Sequence, residues 1–320
     1  MKTSGFARLM LLPLLSISPV LQGNPDQLGH YDVGSFTLDA SIGYLSGKSK
    51  EFVYDAPTGR KVSELDWKIS GEPIIRGEAN VHLFRWLDFN AQGWITLQQG
   101  RGIMDDYDWF NPNQILWTHW SHHEDTNLRQ ANEFDLNLRS WFIQKPSYQV
   151  AGMAGYQRTL FSFLSKGGCF TYDNGSDIGC FVPGESVIGY KQVYKSPYIG
   201  LAGAYLVRSF EFNGLFKFSN RVNAKDVDQH YLRTLTFHDQ SNHSKYYNAV
   251  LNAGYFIKPQ IKLFVEGSLT YFPNTMAETE KIDNSTGALD YFPRGAAGLG
   301  NRNYIIALGV QYRGKVTETS

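Results

Sequence analysis

The chain has 320 residues, with 30 basic and 30 acidic side chains and a formal net charge of zero. That balance excludes the basic excess by which nucleic-acid binders hold phosphate, and after the N-terminus no stretch reaches the roughly 20 apolar residues of a spanning helix. With aromatic residues at 15% and 31 glycines, the length fits either two soluble domains or one large barrel.

In chain order, the first element is a leader. Lys2 and Arg8 precede an apolar run from Leu9 to Leu21 that Pro13 and Pro19 interrupt. The run is too short and too kinked to anchor as a helix, so residues 1–23 are expected to be a secretory signal peptide and residues 24–320 a single exported domain. From there alternation dominates. Phe36, Leu38, Ala40 and Ile42 alternate with Thr37, Asp39 and Ser41, and Phe134, Leu136 and Leu138 alternate with Asp135, Asn137 and Arg139. Period two means strands with one apolar and one polar face. Ten such runs are expected near 33–54, 62–84, 88–103, 130–144, 148–170, 187–207, 210–228, 246–258, 261–275 and 302–313. Several are longer than the roughly 5–6 residues usual in soluble sheets.

Short connections, such as Lys145-Pro146-Ser147 and Lys258-Pro259-Gln260, alternate with longer polar ones expected near 104–129, 171–186, 229–245 and 276–301. This is the rhythm of periplasmic turns and extracellular loops. The expected fold is therefore all-β, a ten-stranded antiparallel transmembrane barrel that satisfies its backbone groups by closing on itself. Both termini then lie on the periplasmic side, and odd-numbered strands end at the outer mouth. Cys169 and Cys180 flank a turn-forming stretch, Asp173-Asn174-Gly175-Ser176. In an oxidising compartment such a pair is expected to form a disulfide.

Two clusters carry chemistry. Asp105, Asp106 and Asp108 end the third strand; Asp226, Asp228 and His230 end the seventh. Residues two apart share a strand face, so Asp106 faces the same way as Asp108, and Asp226 the same way as Asp228 and His230. Both clusters belong to one mouth of the barrel. Carboxylates facing an imidazole suit water activation: one carboxylate orients and charges the ring, and the ring takes the proton of an attacking water. The bland alternative is a solvated acidic rim. His122, His123 and Asp125 invite a metal reading, but adjacent strand residues face opposite sides, so no metal site is expected.

Several blocks resemble one family. They include Leu45-Ser46-Gly47-Lys48, Leu65-Asp66-Trp67-Lys68, Ala131-Asn132-Glu133-Phe134-Asp135-Leu136-Asn137, Met153-Ala154-Gly155-Tyr156-Gln157, Ile188-Gly189-Tyr190-Lys191-Gln192 and Pro197-Tyr198-Ile199-Gly200. In this order they resemble the omptins, outer-membrane endoproteases of Gram-negative bacteria. The resemblance runs from about Phe36 to Tyr312 and implies a barrel that extends beyond the membrane on the extracellular side. It places the family's aspartate pair on Asp106 and Asp108 and its Asp–His dyad on Asp228 and His230. It implies a water attacking the peptide carbonyl with no covalent intermediate and no cofactor. Glu51 and Asp226 match an anionic pocket for the side chain before the cut bond, which implies polypeptide substrates with arginine or lysine there. Met104 matches a groove-lining position, and Ser121 and His123 match supporting ones.

Two departures stand out. An acidic residue of the next pocket aligns with His119, which leaves the preference after the cut open. Members of the family bind lipopolysaccharide and need it for activity. Of that cluster Tyr156 survives, whereas Arg158, Leu160, Val193 and Asn242 replace other residues. The alternatives to a protease are an adhesin or invasin on the same barrel, using the long outer loops, and a pore, which a ten-stranded lumen is too narrow to favour.

Overall fold

The computed structural model describes residues 33–315. The expected signal peptide lies outside the described residues. The strands are β1 (Ser35–Asp55), β2 (Arg60–Phe84), β3 (Leu87–Thr96), β4 (Gly100–Asp108), β5 (His119–Gln144), β6 (Tyr148–Lys166), β7 (Cys169–Tyr172), β8 (Asp177–Cys180), β9 (Ser186–Val207), β10 (Phe210–His230), β11 (Leu235–Lys258), β12 (Ile261–Asp283) and β13 (Leu289–Lys315). All pairings are antiparallel, and β13 returns to β1 from Ser35↔Lys315 to Val53↔Ala297. The sheet closes as a ring of ten staves, with β3 and β4 as two halves of one stave between β2 and β5.

The outer wall carries the lipid signature. Ile42, Ile199, Leu201, Leu251, Val265, Ile306 and Leu308 are exposed around the ring. Tyrosines bracket this band: Tyr44, Tyr156, Tyr271 and Tyr304 on one side, Tyr148, Tyr205, Tyr255 and Tyr312 on the other. From Tyr304 to Tyr312 is on the order of 26 Å of strand, about the height of the apolar band of outer-membrane barrels.

Inside the band the lumen is filled. Lys217 Nζ meets Asp135 Oδ2 at 2.5 Å, Lys262 Nζ meets Glu211 Oε1 at 2.6 Å, and Arg139 meets Glu78 at 3.3 Å. Above them Trp67, Phe161, Phe163 and Tyr190 form one buried apolar cluster, and Tyr194, Tyr198, Tyr246 and Phe272 a second. Trp67 and Tyr190 stack with centroids 5.2 Å apart. These plugs leave the barrel closed beneath its outer mouth.

The staves run well past the lipid band, and here the structure corrects the loop expectations. β10 and β11 are joined by four residues, 231–234, and β12 and β13 by five, 284–288; β4 reaches Asp108 and β5 begins at His119. Most of the stretches expected as loops near 104–129, 229–245 and 276–301 are paired strand. The reason is physical. Beyond the membrane one face meets water and the other lines a polar groove, so the apolar alternation that marks a strand disappears while backbone pairing continues. The long third run is also interrupted at 97–99.

Candidate active site

Register builds the site. Asp106 lies opposite Leu65 on β2 and Ser121 on β5, and Asp108 opposite Ser63 and His119. β7 extends the row, pairing Ser121 with Phe170 and Trp120 with Thr171. On β10, Asp228 lies opposite Tyr190 of β9 and Phe237 of β11, and His230 opposite Ile188 and Leu235. Asp105 turns to the outer face, where His122 Nδ1 meets it at 2.7 Å and Trp120 Nε1 at 3.2 Å. The alternation thus separates Asp105 from the pair it precedes.

His230 Nε2 lies 2.5 Å from Asp228 Oδ2. Asp228 is 1% exposed and the imidazole 14% exposed, so the carboxylate sits behind the ring and the ring faces the groove. One ring nitrogen is committed to Asp228; the other remains for a proton. Burial alone would lower the imidazole, but the charge and hydrogen bond of Asp228, with Asp106 adding to them, hold it above its ordinary value.

Across the groove, Asp106 and Asp108 are half-buried. Loss of solvation pushes Asp106 up to about 8; the charge of Asp108 adds to this, while His230 pulls the other way. Asp108 is raised by burial too, with Ser63, His119, Arg233 and His230 opposing. A pair of like charges facing one imidazole keeps one proton at neutral pH. The site thus offers a protonated carboxyl and a carboxylate-backed imidazole that face one another.

Ser121 and His123 form a buried relay. His123 Nδ1 lies 2.6 Å from the Gly167 carbonyl, which can only accept, so that nitrogen carries the hydrogen. Its Nε2 then accepts from Ser121 Oγ at 2.9 Å. Burial lowers the His123 imidazole, in keeping with this neutral form. Gly168, at φ +100°, makes the close pass possible, since a Cβ there would lie 2.5 Å from His123 Nδ1. Met104 is fully buried among the apolar residues beneath Asp106, opposite Trp67 and His123. It supplies floor rather than wall.

Glu51 on β1 and Asp226 on β10 are 3% and 2% exposed. Tyr190 donates from its hydroxyl to Asp226 Oδ2 at 2.9 Å, and Gln192 braces that hydroxyl at 2.7 Å. Burial, then the charges of Asp228 and Asp226, holds Glu51 well above the usual carboxylate range; burial and Asp239 do the same to Asp226. Among the described residues no group of His, Cys, Asp and Glu has the arrangement of a metal site.

Cys169 and Cys180 are bonded, opposite one another on β7 and β8. Their hairpin brings Tyr172 beside His119, with ring centroids 4.9 Å apart. Burial, with the charges of Asp106 and Asp108, pushes the Tyr172 phenol up to about 12. Tyr156 sits on the outer wall between Leu136 and Pro197, 39% exposed. Arg158 follows it, and with Lys191, Lys195 and Lys225 it lines a concave groove on that wall.

Sequence reasoning missed Tyr172, Ser63, Tyr190 and Asp239. Asp239 faces Asp226 directly across the β10–β11 hairpin. It became legible only with the tight turn at 231–234, which the expected loop over 229–245 concealed.

Comparison with known proteins places the chain in a family. The family model described as "Omptin family" matches residues 32–313. The chain is 47% identical over 279 residues to the plasminogen activator of Yersinia pestis, covering 87% of this chain and 89% of that protein. It is 42% identical over 286 residues to protease 7 of Escherichia coli K12, covering 87% and 90%. The crystal structure of the outer membrane protease OmpT from Escherichia coli superposes with a TM-score of 0.84 at 40% identity, covering 88% of this chain and 97% of that one. The site therefore stands at the extracellular end of an outer-membrane barrel, and the chain belongs to the omptin family.

Proposed function

We propose that this protein is an outer-membrane endopeptidase that hydrolyses peptide bonds after arginine or lysine by direct attack of water. The observation that carries the reading is the His230–Asp228 pair facing an aspartate pair across an open groove. A water held between Asp106, Asp108 and His230 gives its proton to the free nitrogen of His230 as its oxygen attacks the carbonyl carbon. Asp228 stabilises the imidazolium that forms. The proton retained by the aspartate pair is donated in a hydrogen bond toward the carbonyl oxygen, where negative charge develops, and stays with the pair when the carbonyl reforms. His230 then returns its proton to the leaving amine as the carbon–nitrogen bond breaks. Glu51 and Asp226 receive the basic side chain before the cut bond, since a buried carboxylate pair suits a guanidinium or ammonium.

Lipopolysaccharide is the partner we assign to the outer wall, at Tyr156. Arg158, Lys191, Lys195 and Lys225 line a groove near it together with Glu278 and Glu280, and the four cations are the groups that phosphate would engage there. The test is cleavage of a fluorogenic peptide library by refolded full-length protein, with and without lipopolysaccharide, beside His230→Ala. Cleavage after arginine or lysine that is lost in the variant is expected, with stimulation by lipopolysaccharide. A folded barrel that cuts nothing, or cuts with no basic residue before the bond, would reject the reading.

A further inference from the structure

The basic-residue pocket holds more acid than its two expected members. Asp239 on β11 is 3% exposed and lies directly opposite Asp226 on β10. On its other side it pairs with Thr279 of β12. Its charge bears on both Glu51 and Asp226, so the three carboxyls share one space. Asp228 and Asp106 face the same space from β10 and β4, and the Tyr190 hydroxyl closes it from β9.

A second observation points to a ligand. Glu51 Oε2, Asp226 Oδ1, Asp228 Oδ1 and Asp239 Oδ1 are all buried with no hydrogen-bond partner among the described residues. Buried carboxylate oxygens are ordinarily satisfied, because leaving them bare forfeits solvation with nothing in return. The charges bearing most strongly on Glu51 and Asp226 are those of other carboxylates, not of cations. The unsatisfied acceptors of Glu51, Asp226 and Asp239, in one recess beside Asp228 of the dyad, describe a receptor for a multi-donor cation.

Resting on the endopeptidase reading above, we propose that Asp239 is a third carboxylate of the pocket for the side chain before the cut bond, and that it makes the pocket select guanidinium over ammonium. Two carboxylates already offer enough acceptors for the three donors of an ammonium. A guanidinium presents five N–H groups in a fixed plane, and its outer edge is left without partners unless a third acid meets it. Asp239 approaches from the strand next to Asp226, the direction from which that edge can be reached. Burial pushes its carboxyl up to about 7, the direction expected for a buried acid that lacks a cation, and an entering cation favours its ionised form.

The experiment compares two peptides that differ only in arginine or lysine before the cut bond, using full-length wild type, Asp239→Asn and Asp239→Glu. Folding of each is checked by its heat-dependent shift on a gel. Wild type is expected to favour arginine by about tenfold in kcat/KM, the size of one charged hydrogen bond. Asp239→Asn should bring the two peptides to within about threefold, mainly through a higher KM for the arginine peptide, and Asp239→Glu should restore part of the preference. An unchanged ratio in Asp239→Asn, or an equal fall on both peptides, would overturn the assignment while leaving the endopeptidase reading intact. Wild type that does not cut after basic residues would overturn both.

Discussion

His230 and Asp106 are set against each other by their surroundings, and this governs how activity responds to pH. In the proposed mechanism His230 must be unprotonated to take a proton from water, yet Asp228 and Asp106 raise it above its ordinary value despite burial. Asp106 must hold its proton, and it does so up to about 8. The expected profile of kcat/KM is a bell, with an acidic limb above the ordinary histidine range and an alkaline limb near 8. Asp106→Asn should remove the alkaline limb and lower the rate. Asp228→Asn should leave KM nearly unchanged and reduce kcat by about 10²–10⁴-fold, since the ring loses its orienting and stabilising partner. Stability responds differently. Asp239 is raised in the fold to about 7 from an ordinary value near 4. Such a group binds its proton more tightly when folded, so its contribution favours the fold below about 4 and is lost as pH rises through 7. Asp239→Asn should therefore raise the melting temperature at pH 9 and leave it almost unchanged at pH 4, measured in detergent.

At the scale of elements, the β7–β8 hairpin holds one wall of the groove. Phe170 and Phe181 pack against each other, Phe181 stacks on His123, and Tyr172 stands beside His119. The Cys169–Cys180 bond closes this wall over a separation of 11 residues, worth about 3 kcal/mol in the chain-entropy model. Reduction should lower peptide cleavage several-fold while the heat-dependent gel shift of the barrel persists. Cys169→Ser with Cys180→Ser should match the reduced wild type and ignore reductant. The same scale separates what the sequence reveals from what it hides. All ten staves are legible in their lipid-facing halves, because lipid demands the apolar parity of Leu38 and Ile42 or of Ile306 and Leu308. Their outer halves are not, because between His119 and Thr126 or between Thr236 and Asn242 neither face is apolar. Parity within each strand shows that Asp106 shares a face with Asp108 and Asp228 with His230, while their roles are what the family resemblance implies. Asp239 was not readable, since its neighbourhood depends on pairing across a turn that polar residues disguise.

For the whole molecule, closure and plugging make a rigid socket. Lys217 and Asp135, 2% and 0% exposed, and Lys262 with Glu211 cross-brace the lumen. Asp135→Leu removes the direct partner of the buried Lys217 charge and leaves it only Gln157 and the more remote Glu133 and Glu78, which should cost about 3 kcal/mol and appear as a lower melting temperature in detergent. The filled lumen also predicts no ion conductance in planar bilayers. A socket braced this way holds β4 and β10, which lie on different sides of the ring, so that Asp106 and His230 act on one another electrostatically. In the proposed mechanism these two strands act as one catalytic unit. This is tested most directly by kcat/KM on one arginine-containing peptide for wild type, Asp106→Asn, His230→Ala and the double variant, each verified as folded. Each single change is expected to cost at least about 10³-fold and the double little more than either, as for groups acting together on one water. Single variants that keep activity within about tenfold of wild type, or losses that multiply independently, would contradict it.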